Sequence, residues 1–331
     1  MKMKLFSEVP IQPSIYKINH QSKILCIGSC FAAEMGQRLM DAEFQAMVNP
    51  FGTQFHPMAI ENTFNRIYAR EHYLETEIFH HQGLYFSWDH STLFSNPKKE
   101  IILTTINEKI DEANSFLSET DVLIFTFGTA WAYYLTQGAF FVSNCHKIPQ
   151  VNFEKRLLSP KEVYDSIKKL ILKVFDVLPH AKIIFTISPV RHIRDGFREN
   201  NVSKGILHTA LHQVLQEFSE VQYFPSYEVV LDELRDYRYY ADGLAHLNDL
   251  GLQYVWNKFS ASYFSEETIS FNNQIEKIQK AVAHKPVNPT SMHHKKFLYE
   301  TLKKALELKK HLNASALNEE IQILKNQIHV D

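Results

Sequence analysis

Continuous apolar runs alternate with amphipathic segments along most of the chain, a pattern typical of parallel strands connected by helices. Five runs have strand character, and they begin at Lys23, Gln45, Asp121, Lys182 and Gln222. The segments between and after them have a helical period, which predicts helices over 58–69, 107–119, 160–178, 203–219 and 250–263. This order predicts a doubly wound α/β fold around a mostly parallel five-stranded sheet.

The segment between Tyr73 and Asn96 departs from this alternation because it is rich in aromatic and histidine residues. Its period of two predicts a hairpin or an ordered flap rather than a helix. Two interpretations of its aromatic side chains stay open: they cover a site, or they pack against the sheet as core residues do. A further short strand is predicted over 139–142.

The chain changes character after about residue 265, where polar and lysine-rich segments predict helices over 269–283, 293–311 and 315–328. We therefore divide the chain into an α/β domain over residues 1–264 and a helical C-terminal extension over 265–331. The middle helix carries an apolar stripe that predicts packing on the α/β body or on a second copy of the chain, as in a homodimer, and we expect the body. The stripe consists of Phe297, Leu298, Leu302, Ala305, Leu306 and Leu308.

Composition and charge exclude several classes of function. The chain has 331 residues, of which 45% are hydrophobic, so it can bury a full core. Its formal net charge of -2 gives no reason to expect nucleic acid or a membrane as partner. Three cysteines are too few for a disulfide framework, which favours a reducing compartment. Because no segment has the character of a signal peptide or the length of a membrane span, we expect a cytoplasmic protein.

The turn after the first strand carries the first candidate for chemistry. The apolar run ends at Gly28 and a helical pattern starts directly after Cys30, so Ser29 and Cys30 lie on a strand-to-helix turn. The first N–H groups of a helix have no internal partner, and the helix dipole is positive there. A thiol at this position should ionise more easily than a free thiol, which makes Cys30 a candidate nucleophile.

Polar residues also follow the other strands of the predicted sheet. They are Gly52 after the second strand, Gly128 and Thr129 after the third, Arg191 and His192 after the fourth, and His246 in the last loop before the closing helix. In open α/β sheets, ligands bind outside the carboxyl ends of the strands. The sequence therefore predicts a site at this edge of the sheet.

Each of these residues also has a purely structural interpretation. Cys30 fits a small buried thiol at a tight turn, and His246 fits a helix cap or a core histidine. Arg191 and His192 fit loop anchors. The Arg191 guanidinium would equally suit a carboxylate or phosphate of a substrate, because its fork donates two parallel hydrogen bonds.

Two pairs of residues raise the question of a metal. Cys145 is followed by His146, without the paired-ligand spacing that is usual for zinc. His208 and His212 are four residues apart on one predicted helix face, which is compatible with a metal but also typical of a solvated face. We therefore predict no metal, and a metal or redox module stays an alternative that depends on Cys145 and His146 alone.

Several motifs, in one order over roughly residues 20–262, resemble those of the GSCFA family. The first is Gly-Ser-Cys-Phe-Ala at 28–32; the others are NPFG at 49–52, SWDH at 87–90, GTAW at 128–131, NCHK at 144–147, SPVRH at 188–192 and YFPSY at 223–227. That family looks like a branch of the SGNH, or GDSL, hydrolases. The resemblance implies their flavodoxin-like three-layer α/β/α fold and their chemistry, the hydrolysis or transfer of acyl esters.

The resemblance also implies roles for residues near the first motif. In the superfamily this motif reads Gly-Asp-Ser with the serine as nucleophile, so Cys30 matches the nucleophile and Ser29 the aspartate. Ser29 is expected to contact substrate together with Arg191 and His192. The helix-terminus argument and the resemblance therefore assign the same nucleophile.

Donors for a tetrahedral oxyanion are implied in the same way. Gly52 matches a glycine whose N–H would act beside the N–H of Cys30. The superfamily has an asparagine in the third motif, but Ala130 occupies that position here. Thr129 or Asn144 is the expected substitute.

The last motif implies the base. His246 matches the superfamily's histidine, but the aspartate normally three residues before it is replaced by Gly243, and Asp242 lies four residues before it. Asp242 is expected to orient the ring of His246. A cysteine and histidine can also act without a carboxylate, since the third group mainly orients the ring.

Together these expectations describe an acyl-ester hydrolase or O-acyltransferase that acts on a carbohydrate or another small molecule through Cys30 and His246. No cofactor is expected, and acyl-coenzyme A is one candidate acyl donor. The alternative is a non-catalytic SGNH-like protein that binds a carbohydrate or a metabolite. The altered spacing before His246 and the missing asparagine favour this alternative.

Overall fold

The structure is a computed structural model and describes residues 7–328, so residues 1–6 and 329–331 of the two predicted domains lie outside the described residues. The first elements are β1 (Lys23–Gly28), α1 (Cys30–Asp41), β2 (Gln45–Val48), α2 (Pro57–Tyr68), β3 (Ile78–His81), β4 (Leu84–Ser87), α3 (Lys99–Leu117), β5 (Val122–Phe127), β6 (Trp131–Leu135) and β7 (Phe140–Val142). They are followed by β8 (Phe153–Leu157), α4 (Pro160–Val177), β9 (Lys182–Ile187), α5 (Phe197–Glu217), β10 (Gln222–Phe224), α6 (Ser226–Glu228), α7 (Asp249–Tyr263), α8 (Glu266–Ala283), α9 (Met292–Lys309) and α10 (Asn318–Ile328).

Five strands form one fully parallel sheet in the order β10, β9, β5, β1, β2. When these strands are numbered along the chain, the order is that of flavodoxin-like folds. The order reverses between β1 and β5, so the carboxyl ends of these two strands flank the crevice where such folds bind ligands. The prediction of a five-stranded sheet in a three-layer α/β/α fold is confirmed.

The strands are apolar throughout because helices cover both faces of the sheet. In β1, Leu25 and Ile27 face a core shared with α2, α3, α4 and α5, whereas Ile24 and Cys26 face a second core shared with α1 and α7. Successive side chains of a strand point to opposite faces, so both sets are buried. Polar side chains can therefore meet only at the ends of the strands.

Two helices begin earlier than predicted. α3 begins at Lys99 rather than 107. The sequence pattern misses its first turns because the apolar run and two threonines at 101–105 have a strand-like composition. α5 begins at Phe197 rather than 203. The sequence pattern misses its first turns because their buried face is polar and shows no apolar period. The buried polar residues there are Asn200, Ser203 and Lys204.

Two antiparallel sheets are inserted between the parallel strands. β3 and β4 form the predicted hairpin, and β6 pairs with both β7 and β8. The sequence pattern predicts only β7 of this second sheet, because β6 and β8 contain tyrosines and charged residues on an exposed face. Trp88, next to the hairpin, contacts Phe153 of β8 edge-to-face at 5.8 Å between ring centroids. The two insertions therefore form one continuous wall.

The C-terminal helices α8, α9 and α10 form a core of their own. Leu298, Ala305 and Leu308 of the predicted stripe are buried in this three-helix bundle rather than against the α/β body. Phe297 and Leu306 stay 38% and 44% exposed. The expectation that the stripe packs on the body is therefore wrong, because the neighbouring helices supply the apolar partners.

Polar contacts join the bundle to the α/β body near the end of α1. Gln279 donates a hydrogen bond from Nε2 to the carbonyl oxygen of Asp41 at 2.7 Å, and Asn313 donates from Nδ2 to that of Glu43 at 2.7 Å. None of the helices in residues 7–328 is long and apolar enough to cross a membrane.

Candidate active site at the carboxyl edge of the sheet

The turn between β1 and α1 is held by close packing against β5. A Cβ at Gly28 would come within 2.3 Å of the Thr126 carbonyl oxygen, so only glycine fits there. Ser29 is fully buried, donates its N–H to the same oxygen at 3.1 Å and does not line the cleft, so the expectation that it contacts substrate is wrong. Cys30, the first residue of α1, is only partly buried. The packing of the two preceding residues therefore presents the Cys30 thiol at the edge of the sheet.

The Cys30 sulfur lies 3.5 Å from Nε2 of His246, although the two residues are 216 positions apart in the chain. This distance is within hydrogen-bond reach of a sulfur atom. His246 is held in its loop by a 2.9 Å bond from the Ala241 N–H to its carbonyl oxygen and by a bridge between Tyr240 and Leu247. The structure thus brings together the two residues that the sequence assigns to nucleophile and base.

The charge environment of Cys30 contains opposing effects. Burial raises the pKa of its thiol, while the N–H groups at the start of α1 and the positive charge of Lys204 lower it. The net direction is upward, so the expectation that this thiol ionises more easily than a free one is wrong for the unliganded chain. The helix terminus does act in the expected direction, but it does not offset the loss of water around the sulfur.

Lys204 of α5 is a component of the site that sequence analysis misses. It is 1% exposed, and its ammonium donates to the carbonyl oxygens of Gly128 at 2.6 Å and Ser188 at 2.5 Å, just beyond the ends of β5 and β9. Burial lowers the pKa of Lys204 to about 7. Helical spacing is the sequence signal that could have identified Lys204 as buried, because it shares one face of α5 with Leu207 and Leu211.

An open cleft of about 1020 Å³ lies in front of Cys30 and His246. The hairpin and the sheet around β6 form one wall, and the loop after β9 forms another. Apolar and aromatic side chains dominate the lining, among them Phe55, Leu84, Phe86, Trp131, Tyr133 and Phe153. Both interpretations of the aromatic segment therefore hold, because Phe86 lines the cleft while Tyr73 is buried in the core shared with the sheet.

Arg191 and His192 line the same cleft. Arg191 donates to Oδ1 of Asn201 at 3.3 Å, and the His192 N–H donates to Oδ1 of Asn200 at 3.0 Å. Burial lowers the pKa of His192 to about 4, so its ring is neutral at neutral pH. Within residues 7–328, the buried Nε2 of His192 has no hydrogen-bond partner. Both residues are placed where a substrate in the cleft would meet them.

The structure does not offer Gly52 as an oxyanion donor. Its N–H already donates to the carbonyl oxygen of Asn49 at 2.7 Å in a tight turn, and Gly52 does not line the cleft. A Cβ at this position would come within 2.1 Å of Ser91 Oγ, so the glycine is required for packing and for its φ of +80°. The role implied for Gly52 by the resemblance is therefore replaced by a structural one.

The two expected substitutes for the missing asparagine differ. Thr129 lines the cleft, but its N–H donates to the Phe55 carbonyl oxygen at 3.0 Å and its hydroxyl is bonded to Ser203 at 2.9 Å. Asn144 also lines the cleft, and its Oδ1 accepts a hydrogen bond from the His146 N–H at 2.8 Å. Of these two residues, Asn144 alone keeps a side-chain donor, Nδ2, without a hydrogen-bond partner in residues 7–328.

Asp242 does not reach the base. It is exposed, and its carboxylate forms no hydrogen bond or ion pair with His246 in the part of the chain that the structure describes. The contact between His246 and Cys30 uses Nε2, and Nδ1 of His246 forms no hydrogen bond within the same residues. The structure thus contains the expected pair but does not complete a triad.

Comparisons with known proteins address the family of the chain. A model described as the GSCFA family matches residues 23–259, which contain β1 and most of α7. The chain belongs to the GSCFA family. A second model, described as the GSCFA domain protein, C-terminal domain, matches residues 275–330. In this GSCFA chain, the first match includes Cys30, Lys204 and His246.

The other comparisons add little to the GSCFA match. Comparison with curated proteins gives no match. A solved chain described as "a putative platelet activating factor from Streptococcus pneumonia" is 13% identical, with 72% of this chain and 82% of that chain covered and a TM-score of 0.39. A likeness at this level carries no argument about function.

The metal interpretation finds no support in the described part of this GSCFA chain. The ring of His146 is held by the Ser87 carbonyl oxygen at 2.8 Å and by Thr92 Oγ1 at 3.4 Å, so neither nitrogen is directed at Cys145. His208 lies 3.7 Å from a carboxylate oxygen of Glu228, and His212 is exposed. No group of three or more histidine, cysteine or acidic residues suited to a metal occurs in residues 7–328.

Proposed function

We propose that the chain is an SGNH-like acyl-ester hydrolase or O-acyltransferase with Cys30 as nucleophile and His246 as base. The observation that carries this proposal is the 3.5 Å separation between Cys30 Sγ and His246 Nε2 at a cleft of about 1020 Å³. A thiol with an adjacent imidazole is a recurring device for attack on carbonyl carbon. The flavodoxin-like strand order supports the assignment to the SGNH superfamily.

The first half-reaction acylates the cysteine. His246 Nε2 accepts the Cys30 proton, and the sulfur electron pair forms a bond to the carbonyl carbon of the acyl donor while the carbonyl becomes an oxyanion. When this intermediate collapses, the bond to the leaving alcohol or thiol breaks. The imidazolium of His246 gives its proton to the leaving group, and a thioester on Cys30 remains.

The second half-reaction releases the acyl group. Water, or a hydroxyl of a carbohydrate or another small molecule, loses a proton to His246 and forms a bond to the thioester carbonyl carbon. The bond to sulfur then breaks, and the proton returns from His246 to Cys30. The first acceptor gives hydrolysis and the second gives acyl transfer, with no cofactor and no metal in either step.

The oxyanion would be held by donors at the start of α1 and from the cleft wall. The N–H groups of Cys30 and Phe31 belong to the first turn of a helix and have no partner within it. Asn144 lines the same cleft and adds a side-chain amide. Such preorganised donors contribute most where water is excluded.

The proposal also covers the class of substrate, the cellular compartment and the oligomeric state. The aromatic lining suits a sugar ring or an acyl chain, and the Arg191 guanidinium suits a carboxylate or phosphate of the donor, as in acyl-coenzyme A. We place the chain in the cytoplasm because of its low cysteine content. The exposed Phe297 and Leu306 of α9 are where a second copy would pack in a homodimer.

A non-catalytic protein that binds a carbohydrate or metabolite is the second candidate. The observation that favours it is the missing contact between Asp242 and His246, because an unoriented imidazole is a weaker base. In that case the cleft would bind a ligand without turnover. Binding would raise the melting temperature of the chain but would leave Cys30 unmodified.

Intact-mass measurement separates the two candidates. The full chain is mixed with p-nitrophenyl acetate, and separately with acetyl-coenzyme A, and the mass is followed over time. We expect one acetyl adduct that is absent in Cys30→Ala and present in Cys26→Ala. Cys145→Ala is the matched control for a second thiol that lines the cleft. An adduct that persists in Cys30→Ala, or no adduct with either donor, would contradict the proposal.

A further inference from the structure

We infer that Lys204 is a positioning residue for Cys30: its buried ammonium supplies a positive charge that favours the thiolate form of the proposed nucleophile. The inference rests on the proposed role of Cys30. Its test, however, measures the thiol itself and requires no acyl donor, so it can succeed or fail independently of the proposed function.

The burial of Lys204 is unusual because no acidic side chain compensates its charge. Two of the three ammonium donors are bound to the carbonyl oxygens of Gly128 and Ser188. In residues 7–328 no carboxylate forms an ion pair with Lys204; the Tyr227 ring lies 5.8 Å from its ammonium, and Arg191 adds a second positive charge nearby. A buried charge without a partner is costly to keep, which argues for a role beyond packing.

A short chain of contacts connects this charge to the turn that carries Cys30. The Lys204 ammonium is 2.6 Å from the carbonyl oxygen of Gly128. Gly128 in turn packs on Ser29, since a Cβ on Gly128 would lie 3.3 Å from the Ser29 Cβ. Ser29 immediately precedes Cys30. Two contacts and one peptide bond therefore connect the ammonium to the residue that carries the thiol.

The electrostatic effect is reciprocal. Burial raises the pKa of Cys30, and the positive charge of Lys204 counteracts this rise. Burial lowers the pKa of Lys204, and the negative charge of the Cys30 thiolate counteracts this fall. Among the other groups that face the pair, Glu34 of α1 acts against the thiolate, and Arg191 acts against the charged lysine. Burial lowers the pKa of both nearby imidazoles, His192 and His208, so these rings do not add a positive charge beside the ammonium. When His246 accepts the thiol proton, the ammonium stabilises the negative sulfur that results.

A purely structural role for Lys204 would be to hold the ends of β5 and β9 together through its two hydrogen bonds. Glutamine separates the two roles, because its amide group also donates to carbonyl oxygens but carries no charge. Methionine removes both the donors and the charge. The pair Lys204→Gln and Lys204→Met therefore distinguishes charge from hydrogen bonding.

The experiment follows alkylation of Cys30 by iodoacetamide as a function of pH, with Cys145→Ser in all chains so that the other cysteine of the cleft does not react. We expect both Lys204 variants to shift the rate profile to higher pH and to react about tenfold more slowly at neutral pH, as for a shift of one pKa unit. A Lys204→Gln profile that coincides with that of the parent chain would overturn the inference.

A second measurement leaves the buried lysine in place, in case its variants do not fold. When the two groups share one proton, that proton is either on Lys204, which leaves Cys30 as a thiolate, or on Cys30, which leaves Lys204 as a neutral amine. Both forms hold the same number of protons, so the ratio between them does not depend on pH. Alkylation should therefore level off above about pH 7, where Lys204 titrates. The profile is recorded in His246→Gln, which removes the nearby imidazole. A rate that continues to rise tenfold per pH unit up to about pH 8.5, the ordinary pKa of a thiol, would overturn the inference.

The outcomes also separate this inference from the proposed function. If the parent chain forms no acyl adduct but the Lys204 variants shift the alkylation profile, the proposed function fails and the inference stands. If the adduct forms on Cys30 but both Lys204 variants alkylate like the parent chain, the inference fails and the proposed function stands.

Discussion

The two cysteines of the first strand and its turn lie four positions apart and occupy opposite chemical environments. Cys26, in the middle of β1, is 2% exposed among apolar side chains, and burial raises the pKa of its thiol to about 12. Cys30, just past the end of β1, is partly buried and lies 3.5 Å from His246. The difference shows that the position along a parallel strand decides whether a thiol is inert, because polar partners can approach only at the strand end.

The largest expected effect comes from removing the exposed member of this pair. Cys30→Ala should reduce labelling of β1 and its turn by iodoacetamide to background, because Cys26 cannot form a thiolate inside the core. Peptide mapping after digestion of the labelled chain measures this. Labelling of Cys26 in a folded Cys30→Ala chain would show that the contrast between the two environments is wrong.

The second-largest effect tests what the partner at the strand end, His246, adds to the reactivity of Cys30. His246→Gln should lower the rate of Cys30 acylation by p-nitrophenyl acetate about 100-fold, as is typical for loss of a general base. Stopped-flow absorbance at equal chain concentrations gives the rate. Circular dichroism checks that the substitution of this exposed loop residue has not altered the fold. A decrease of less than threefold would separate His246 from the chemistry.

The third effect concerns the buried member of the pair. Cys26→Ser places a hydroxyl without a partner among apolar side chains and should lower the free energy of unfolding by about 1–3 kcal/mol. The acylation rate of the folded chain should not change. Urea denaturation measures the stability, with Cys26→Ala as the control that removes the sulfur without adding a polar group. Equal stability of Cys26→Ser and the parent chain would mean that this position is not apolar.

The smallest effect is expected at Asp242. Since its carboxylate does not contact His246 in the described residues, Asp242→Asn should change the acylation rate by no more than about twofold. A completed triad would behave differently, because loss of its carboxylate lowers the rate by orders of magnitude. A 100-fold loss in Asp242→Asn would show that the loop rearranges when substrate binds.

The fold and the position of Cys30 could be predicted because their signals are local. An apolar run that ends at Gly28, followed by a helical pattern from Cys30, defines both a buried strand and the turn that presents Cys30. His246 was placed at this edge by the same strand-end logic, but its pairing with Cys30 came from the resemblance to the SGNH hydrolases. The structure confirms the sheet and brings the two side chains within 3.5 Å of each other.

The parts of the site that could not be predicted depend on contacts between distant segments. The Gly52 N–H is occupied by Asn49, which no spacing reveals, and the hydrogen bonds of Lys204 join the ends of two strands. The net rise in the pKa of Cys30 also follows from burial by residues far away in the chain. The C-terminal stripe was assigned to the wrong partner because an apolar face does not specify what covers it.

The central claim, that Cys30 forms an acyl intermediate, is tested most directly by pre-steady-state release of p-nitrophenol from p-nitrophenyl acetate in chains carrying Cys145→Ser. The account predicts a rapid burst with an amplitude of one p-nitrophenolate per chain, followed by slower release, and no burst in Cys30→Ala. A linear time course without a burst, or an unchanged burst in Cys30→Ala, would contradict it.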